Sequence, residues 1–126
     1  MDNTFYRFVD SVAAQDGSPT LCPRRLAEAL AIPLDRLAKL CGVHRNTVSQ
    51  APHSDKLQRS MRDVLRVLSA AYRLGEGPEH LRRTLFWFRN FPIPDFGHVT
   101  PMQMVERGRA QAVIFYVESL SAEACG

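Results

Sequence analysis

The polar side chains of residues 44–50 have the types and spacing of side chains that read DNA bases. Four of them fall on the outward face of one short predicted helix: Arg45, Asn46, Ser49 and Gln50. In the major groove, arginine pairs with O6 and N7 of guanine, and asparagine or glutamine pairs with N6 and N7 of adenine. The sequence therefore predicts a helix that enters the major groove and contacts base edges.

This recognition helix is predicted to be the second helix of a helix-turn-helix over residues 34–50. Ala38, Gly42 and Val48 follow the spacing A-x3-G-x5-V. A small residue on the first helix lets the second helix pack across it, and a glycine in the turn adopts a positive φ at little cost. The branched side chain of Val48 is then expected to fill the space between the two helices.

Residues that flank the base-reading side chains are expected to support DNA binding. His44 is predicted to cap the recognition helix, and Thr47 either bonds a phosphate or packs. Lys56 and Arg59, at the start of the next helix, are expected to contact phosphates. Residues 21–75 contain ten Lys and Arg against four Asp and Glu, a net charge of +6, whereas the whole chain carries +3. The positive charge therefore coincides with the motif, as phosphate binding requires.

Helical periodicity extends along the chain and predicts an all-α protein with two domains. Residues 1–75 are expected to form a helix-turn-helix bundle, and residues 76–126 a smaller helical domain that binds a partner or dimerises. Thr100 and Gln103 have the spacing of a capping box. The last helix, about residues 109–122, is expected to bury four side chains: Val113, Tyr116, Val117 and Leu120.

Composition argues against secreted, membrane and catalytic classes. The first residues lack the basic and apolar regions of a secretory signal, and no apolar run approaches the roughly 18 residues of a membrane span. Cys22, Cys41 and Cys125 form an odd, widely separated set, which favours reduced thiols in a cytoplasmic protein. The four histidines lack metal-ligand spacing, and no nucleophile or phosphate-loop signature is present. We therefore expect no enzyme activity, no metal and no cofactor.

The first half of the chain resembles the Xre-type helix-turn-helix family through Ala38, Gly42 and Val48 and the basic helix that follows them. The second half, about residues 78–121, resembles the toxin-binding domain of Xre/MbcA/ParS antitoxins. The residues that carry this second resemblance are Trp87, Pro92-Ile93-Pro94, Phe96-Gly97, Thr100-Pro101, Val105, Gly108 and Val113. In that family a tryptophan-bearing helix leads into a proline loop, a short capped helix and a closing helix.

The resemblance implies an antitoxin that neutralises a RES-type toxin, an enzyme that consumes NAD. In this family the C-terminal region covers the active-site cleft of the toxin, and the antitoxin tends to self-associate and to repress its own operon. The implied partners are a cognate RES-domain toxin, operator DNA and a second copy in a homodimer, with no membrane. This chain differs from many members in its loop, PIPDFGHVTP, and in the short tail after its last helix.

Apolar residues of the second half are the predicted contacts with the toxin. Trp87 is either a core residue or an anchor for the partner. Phe91, Ile93 and Phe96 favour a partner, because a loop rarely exposes three large apolar residues to solvent. Three charged residues are assigned to toxin contact by the resemblance alone: Arg109, Glu118 and Glu123.

The sequence leaves two other functions open. One is a stand-alone Xre-family transcriptional regulator whose second domain only dimerises. The other is a pure inhibitor whose helix-turn-helix no longer binds DNA. Salt-dependent binding to upstream DNA separates this inhibitor from the two DNA-binding functions.

Overall fold

Eight α-helices and one 3-10 turn make up the regular structure of residues 2–125, the part of the chain that this computed structural model describes. In chain order the helices are α1 (Thr4–Ser11), α2 (Pro23–Leu30), α3 (Leu34–Cys41), α4 (Arg45–Gln50), α5 (Asp55–Tyr72), α6 (Pro78–Asn90), α7 (Pro101–Glu106) and α8 (Ala110–Cys125). The 3-10 turn, Pro94–Phe96, lies between α6 and α7. The all-α prediction is confirmed for these residues. The side chains of residues 124 and 125 are not described, so the prediction of a reduced thiol at Cys125 lies outside the described part.

Side-chain caps mark the start of three of these helices, α4, α5 and α7. At α5, the Ser54 hydroxyl accepts the Leu57 N–H at 3.4 Å. At α7, the Thr100 hydroxyl accepts the Gln103 N–H at 3.1 Å, and the Gln103 side chain accepts the Thr100 N–H at 3.0 Å. The predicted capping box is confirmed, and it fixes the direction in which the preceding loop enters α7.

Residues with left-handed backbone end α2 and α3 and turn the chain sharply after each helix. Ala31 has a φ of +57° and Gly42 a φ of +66°. Beyond Gly42, the Val43 N–H bonds back to the Ala38 carbonyl at 3.0 Å, as in a Schellman motif. The predicted positive φ at Gly42 is confirmed, and it lets α4 follow α3 after only three residues.

One continuous apolar core runs through both halves of the chain. Helix α5 lies at its centre and packs against α1, α3, α6, α7 and α8, most extensively against α8. The fully buried side chains of α5 are Leu57, Met61, Val64, Val67 and Leu68. Cys41 of α3 also lies in this core, where burial raises the pKa of its thiol to about 12. Residues 1–75 and 76–126, predicted as two domains, therefore share their core.

An ion pair joins α3 directly to α7 at the edge of this core. Arg36 Nη1 lies 2.6 Å from Glu106 Oε1, and about a quarter of each side chain is exposed. Arg36 belongs to the predicted helix-turn-helix, whereas Glu106 belongs to the second half. The pair adds a polar contact to the apolar packing between these two helices.

Helix α8 differs from its prediction at one side chain and at its end. The prediction that α8 buries Leu120 is wrong, because this side chain is 38% exposed at the rim of a groove between α6 and α8. Val113 and Val117 are buried as predicted, and Tyr116 is partly buried. The helix also extends to Cys125, past the predicted end near residue 122.

A hydrogen-bond network ties the N-terminal segment to the connection between α5 and α6. The Tyr72 hydroxyl donates to Asp2 Oδ2 and accepts the Gly77 N–H at 2.7 Å. The Tyr72 ring contacts Phe5 and His80, with ring centroids 5.4 and 5.3 Å away. The hydrogen bond from Tyr72 holds the pKa of the Asp2 carboxyl well below its ordinary value. The ionised carboxylate is therefore the form that stabilises this network.

Asp2→Asn is expected to lower the melting temperature at pH 7, because it removes this carboxylate. A depressed folded pKa contributes stability above the unfolded pKa, about 3.9, and the contribution is lost as the pH falls below that value. Thermal unfolding followed by circular dichroism from pH 7 to pH 2 should show the two proteins converging below about pH 4. Asp10→Asn, which removes an exposed carboxylate of α1, is the control. A difference that stays constant over this range would contradict the assignment.

Candidate functional site

Helix α4 presents polar side chains to solvent and one apolar side chain to the core. Val48 is 5% exposed and Ala38 of α3 is 3% exposed, and α3 packs against α4. Thr47 is partly buried. The exposed residues, which we call the α4 surface, are His44, Arg45, Asn46, Ser49, Gln50, Lys56 and Arg59. Every side chain predicted to contact DNA except Thr47 is therefore freely accessible to a large partner.

His44 caps the N-terminus of α4, as predicted. Its Nδ1 accepts the Asn46 N–H at 3.1 Å, and its own backbone is extended. This cap makes Arg45 and Asn46 the first two residues of the helix. The N-terminal residues of a recognition helix are the ones that approach base edges in the major groove.

Lys56 lies beside the turn that precedes α4. A Cβ added at Gly42 would lie 3.3 Å from Lys56 Cε and 3.4 Å from Nζ. The ammonium group therefore lies beside the turn between α3 and α4, where it is available to contact a backbone phosphate. Arg59 follows Lys56 by three residues on α5 and is also exposed.

Arg45 pairs with a carboxylate of the neighbouring helix. Its Nε lies 2.9 Å from Oδ1 of Asp35, in the first turn of α3. The two side chains are 65% and 66% exposed. An ion pair with this exposure contributes only about 0–1 kcal/mol to the stability of the fold.

Gln58 holds the segment that follows α4 in place. It is 4% exposed, and its amide oxygen accepts the Leu21 N–H at 2.9 Å. Its amide nitrogen donates to the carbonyls of Leu21 and Pro52, at 2.9 and 2.7 Å. One side chain of α5 therefore satisfies three backbone groups. Because Pro52 lies just after α4, the contact also fixes the end of α4 against α5.

Two grooves flank Trp87 on α6. The larger one has a volume of about 440 Å³, and Phe86, Trp87 and Phe91 line it together with Arg82, Arg83 and Glu79. The smaller one, about 180 Å³, lies between α6, α8 and the end of α5. We call the apolar residues of both grooves that reach solvent the Trp87 surface: Leu74, Phe86, Trp87, Phe91 and Leu120.

The Trp87 surface is unusually apolar for a surface in contact with water. Phe86 is 63% exposed, and Leu74 and Phe91 are 47% and 41% exposed. Contiguous exposed apolar residues rimmed by charged ones are typical of protein-binding sites. The rim of the larger groove is formed by Glu79 and Arg82, which are paired at 3.5 Å.

The predicted toxin contacts do not all lie on this surface. Trp87 and Phe91 line the same groove, but Ile93 has no exposed area. The interpretation of Ile93 as a partner-contacting residue is wrong, because the loop folds back on itself. The Ile93 N–H donates to the Val99 carbonyl at 3.0 Å, and the Ile93 side chain belongs to the core.

The remaining predicted contacts lie elsewhere on the second half. The rings of Phe96 and Tyr116 pack with centroids 5.8 Å apart, and burial together with carboxylates such as Glu123 raises the pKa of Tyr116. Arg109 and Glu118 are exposed. None of the predicted residues Phe96, Arg109, Glu118 and Glu123 lines either groove beside Trp87.

Phe86 and Leu74 are exposed residues that the sequence interpretation did not single out. A signal for Phe86 is present in the sequence. Leu85 and Phe88 define the inward face of α6, and helical geometry then turns Phe86 away from the core. Leu74 lies beyond the end of α5, where no periodicity indicates its direction.

Over residues 2–125, apart from the undescribed side chains of residues 124 and 125, no group of three or more His, Cys, Asp or Glu side chains is arranged to hold a metal ion. None of the helices in this range is long and apolar enough to cross a membrane.

Comparisons with protein-family models, with curated proteins and with solved structures found no match. A function is therefore inferred from the geometry of the α4 surface and of the Trp87 surface, together with the resemblance in sequence.

Gln58→Leu is expected to lower the free energy of unfolding by about 2–4 kcal/mol, because three backbone groups lose their hydrogen-bond partner. Urea denaturation measures this change. Arg62→Ala replaces an exposed residue of the same helix and should stay within about 0.5 kcal/mol of the wild type. A loss as small as that control would mean that water replaces the Gln58 amide, and it would contradict the structural role given to this side chain.

Proposed function

We propose that this protein is an antitoxin that also represses its own operon. The α4 surface binds operator DNA, and the Trp87 surface binds a RES-type toxin and keeps NAD from its active site. The observation that carries the proposal is the presence of two separate surfaces of different chemistry. One is polar and basic, on α4 and the start of α5, and the other is apolar, on α6 and its neighbours.

Support for DNA binding comes from the position of each polar group relative to the start of α4. Arg45 and Asn46 are the first two residues of the helix, and Lys56 lies beside the preceding turn. Base-reading and phosphate-binding groups are thus adjacent, as they are in helix-turn-helix proteins that place their recognition helix in the major groove. A homodimer would present two such helices to half-sites one or more helical turns apart.

Support for toxin binding comes from the Trp87 surface and from the resemblance of residues 78–121 to antitoxin domains. Phe86 and Phe91 would be unfavourably hydrated in an isolated protein, and a partner that covers them would gain apolar burial. Aromatic residues in grooves are also the side chains that most often dominate the energy of protein interfaces. The proposal therefore assigns the covering of the toxin cleft to α6 and the groove residues of α8.

Lys56→Ala and Asn46→Ala are expected to weaken operator binding in different ways. Titration of the wild type against its upstream DNA should give a slope of log K against log salt of about −5 if six phosphates are neutralised. Lys56→Ala should weaken binding to all sequences and make this slope shallower by about 0.9. Asn46→Ala should cost about 1–3 kcal/mol at one base pair only and leave the slope unchanged.

Arg82→Ala is the matched control for Lys56→Ala, because it removes one positive charge from an exposed residue of α6. It should leave DNA binding unchanged. Equal effects of both charge removals would show that the α4 surface is not the DNA-binding surface. Absence of salt-dependent binding in the wild type would instead favour an inhibitor that does not bind DNA.

Phe86→Ser is expected to abolish neutralisation of the toxin. The reading frame next to this protein's gene is the expected toxin gene. It is expressed alone and together with each variant, and growth and cellular NAD are measured. Growth arrest with loss of NAD should be rescued by the wild type and by Phe115→Ser, but not by Phe86→Ser. Phe115 is the matched control because it is 64% exposed, like Phe86, yet it lines neither groove.

Two outcomes would contradict the toxin assignment. Rescue by Phe86→Ser but not by Phe115→Ser would move the toxin-binding site from the grooves to the outer face of α8. The second outcome has two parts: the protein encoded next to this one is not toxic, and Phe86→Ser sediments as a monomer whereas the wild type sediments as a dimer. Together these results would identify a stand-alone regulator whose second half dimerises. Trp87 is the chain's single tryptophan, so its fluorescence reports on binding of any partner at this surface.

A further inference from the structure

Asp35 and Arg45 form the one contact that orients a predicted base-reading side chain within the described residues of the α4 surface. Asp35 belongs to the first turn of α3, and Arg45 is the first residue of α4. The contact is made through Nε of the guanidinium group, 2.9 Å from the carboxylate. The pairing therefore joins the two helices of the predicted helix-turn-helix at the side from which DNA would be approached.

The choice of nitrogen matters for what Arg45 can bind. A guanidinium group carries five N–H donors in a planar fork, one on Nε and two on each terminal nitrogen. Because Nε is the nitrogen nearest to Asp35 in this ion pair, both terminal nitrogens keep donors for other partners. Two parallel donors at the end of the fork match O6 and N7 of guanine. Arg45 is therefore held in a form that can still read guanine.

Holding the side chain before binding should improve discrimination. A free arginine loses rotamer freedom when it pairs with a base, and it can also turn toward phosphates instead. A side chain already fixed by a neighbour loses less freedom and has fewer alternative partners. The carboxylate itself repels nearby phosphates, so it should also weaken binding to unrelated DNA.

We propose that Asp35 is a positioning residue that directs Arg45 to a guanine in each operator half-site. This inference rests on the proposed DNA-binding function and adds to it the identity of one base and the residue that makes its recognition selective. Asp35 does not contact the base. It acts through the Nε of Arg45 and through its negative charge.

The test compares Asp35→Ala with Asp35→Asn in binding to operator variants. Arg45→Ala first identifies the base pair that this residue reads, which is expected to be G·C. Replacing that pair should weaken wild-type binding by roughly 5- to 150-fold. In Asp35→Ala this penalty should fall at least about threefold, whereas the penalty at the pair read by Asn46 should not change. Affinity for unrelated DNA should rise in both Asp35 variants, because both remove a negative charge.

Asp35→Asn separates the ion pair from the packing of the side chain. It keeps the size of the side chain but removes the charge that attracts Arg45, so the discrimination at the guanine should fall as it does in Asp35→Ala. Melting temperatures of both variants show whether loss of the acidic residue from the first turn of α3 affects folding. Neither change in stability can by itself alter discrimination at one base pair and not at another.

Two results would overturn the inference while leaving the proposed function intact. One is an Asp35→Ala protein that gains affinity equally for all sequences, which would mean that Asp35 only repels phosphates. The other is an Arg45-dependent base pair other than G·C. A wild-type protein with no sequence preference would instead overturn the proposed function itself, and the positioning role would fail with it.

Discussion

The burial of α5 is the constraint on which the rest of the structure depends. This helix is covered by α1, α3, α6, α7 and α8, and its inward side chains have almost no exposed area. Its N-terminal end carries Lys56 and Gln58, the residue that hydrogen-bonds the segment after α4. Its C-terminal end leads to Leu74 at the smaller groove. The α4 surface and the Trp87 surface are therefore fixed relative to each other, because they lie at the two ends of the same helix.

Short-range signals explain what could be predicted from the sequence. The positive φ of Gly42, the His44 cap and the capping box of Thr100 and Gln103 depend on residues within a few positions of one another. Helical periodicity likewise predicts which side of each helix faces the core, as it does for Val113 and Val117. For this reason the all-α class and the outward face of α4 could be predicted from local patterns.

Long-range contacts explain what could not be predicted. Ile93 follows the proline-rich pattern of an exposed loop, but its backbone pairs with Val99 and its side chain enters a core built by other helices. Leu120 has the periodicity of a buried residue, yet the neighbouring helices leave a groove at its position. The pairing of Asp2 with Tyr72 joins residues 70 positions apart. Such outcomes depend on which helices become neighbours, and local patterns carry no information about that.

The packing of α8 on α5 has a consequence for how such a chain can be inherited. Proteins built from two independent domains can exchange a domain by recombination. One such event joins an existing DNA-binding domain to a domain that binds a different partner. Here a crossover near residue 75 would separate helices that bury each other, and the hybrid would need matching changes on both. The DNA and toxin specificities proposed for the two surfaces are therefore expected to pass between genomes together, and to diversify by point substitution on the exposed residues rather than by reassortment.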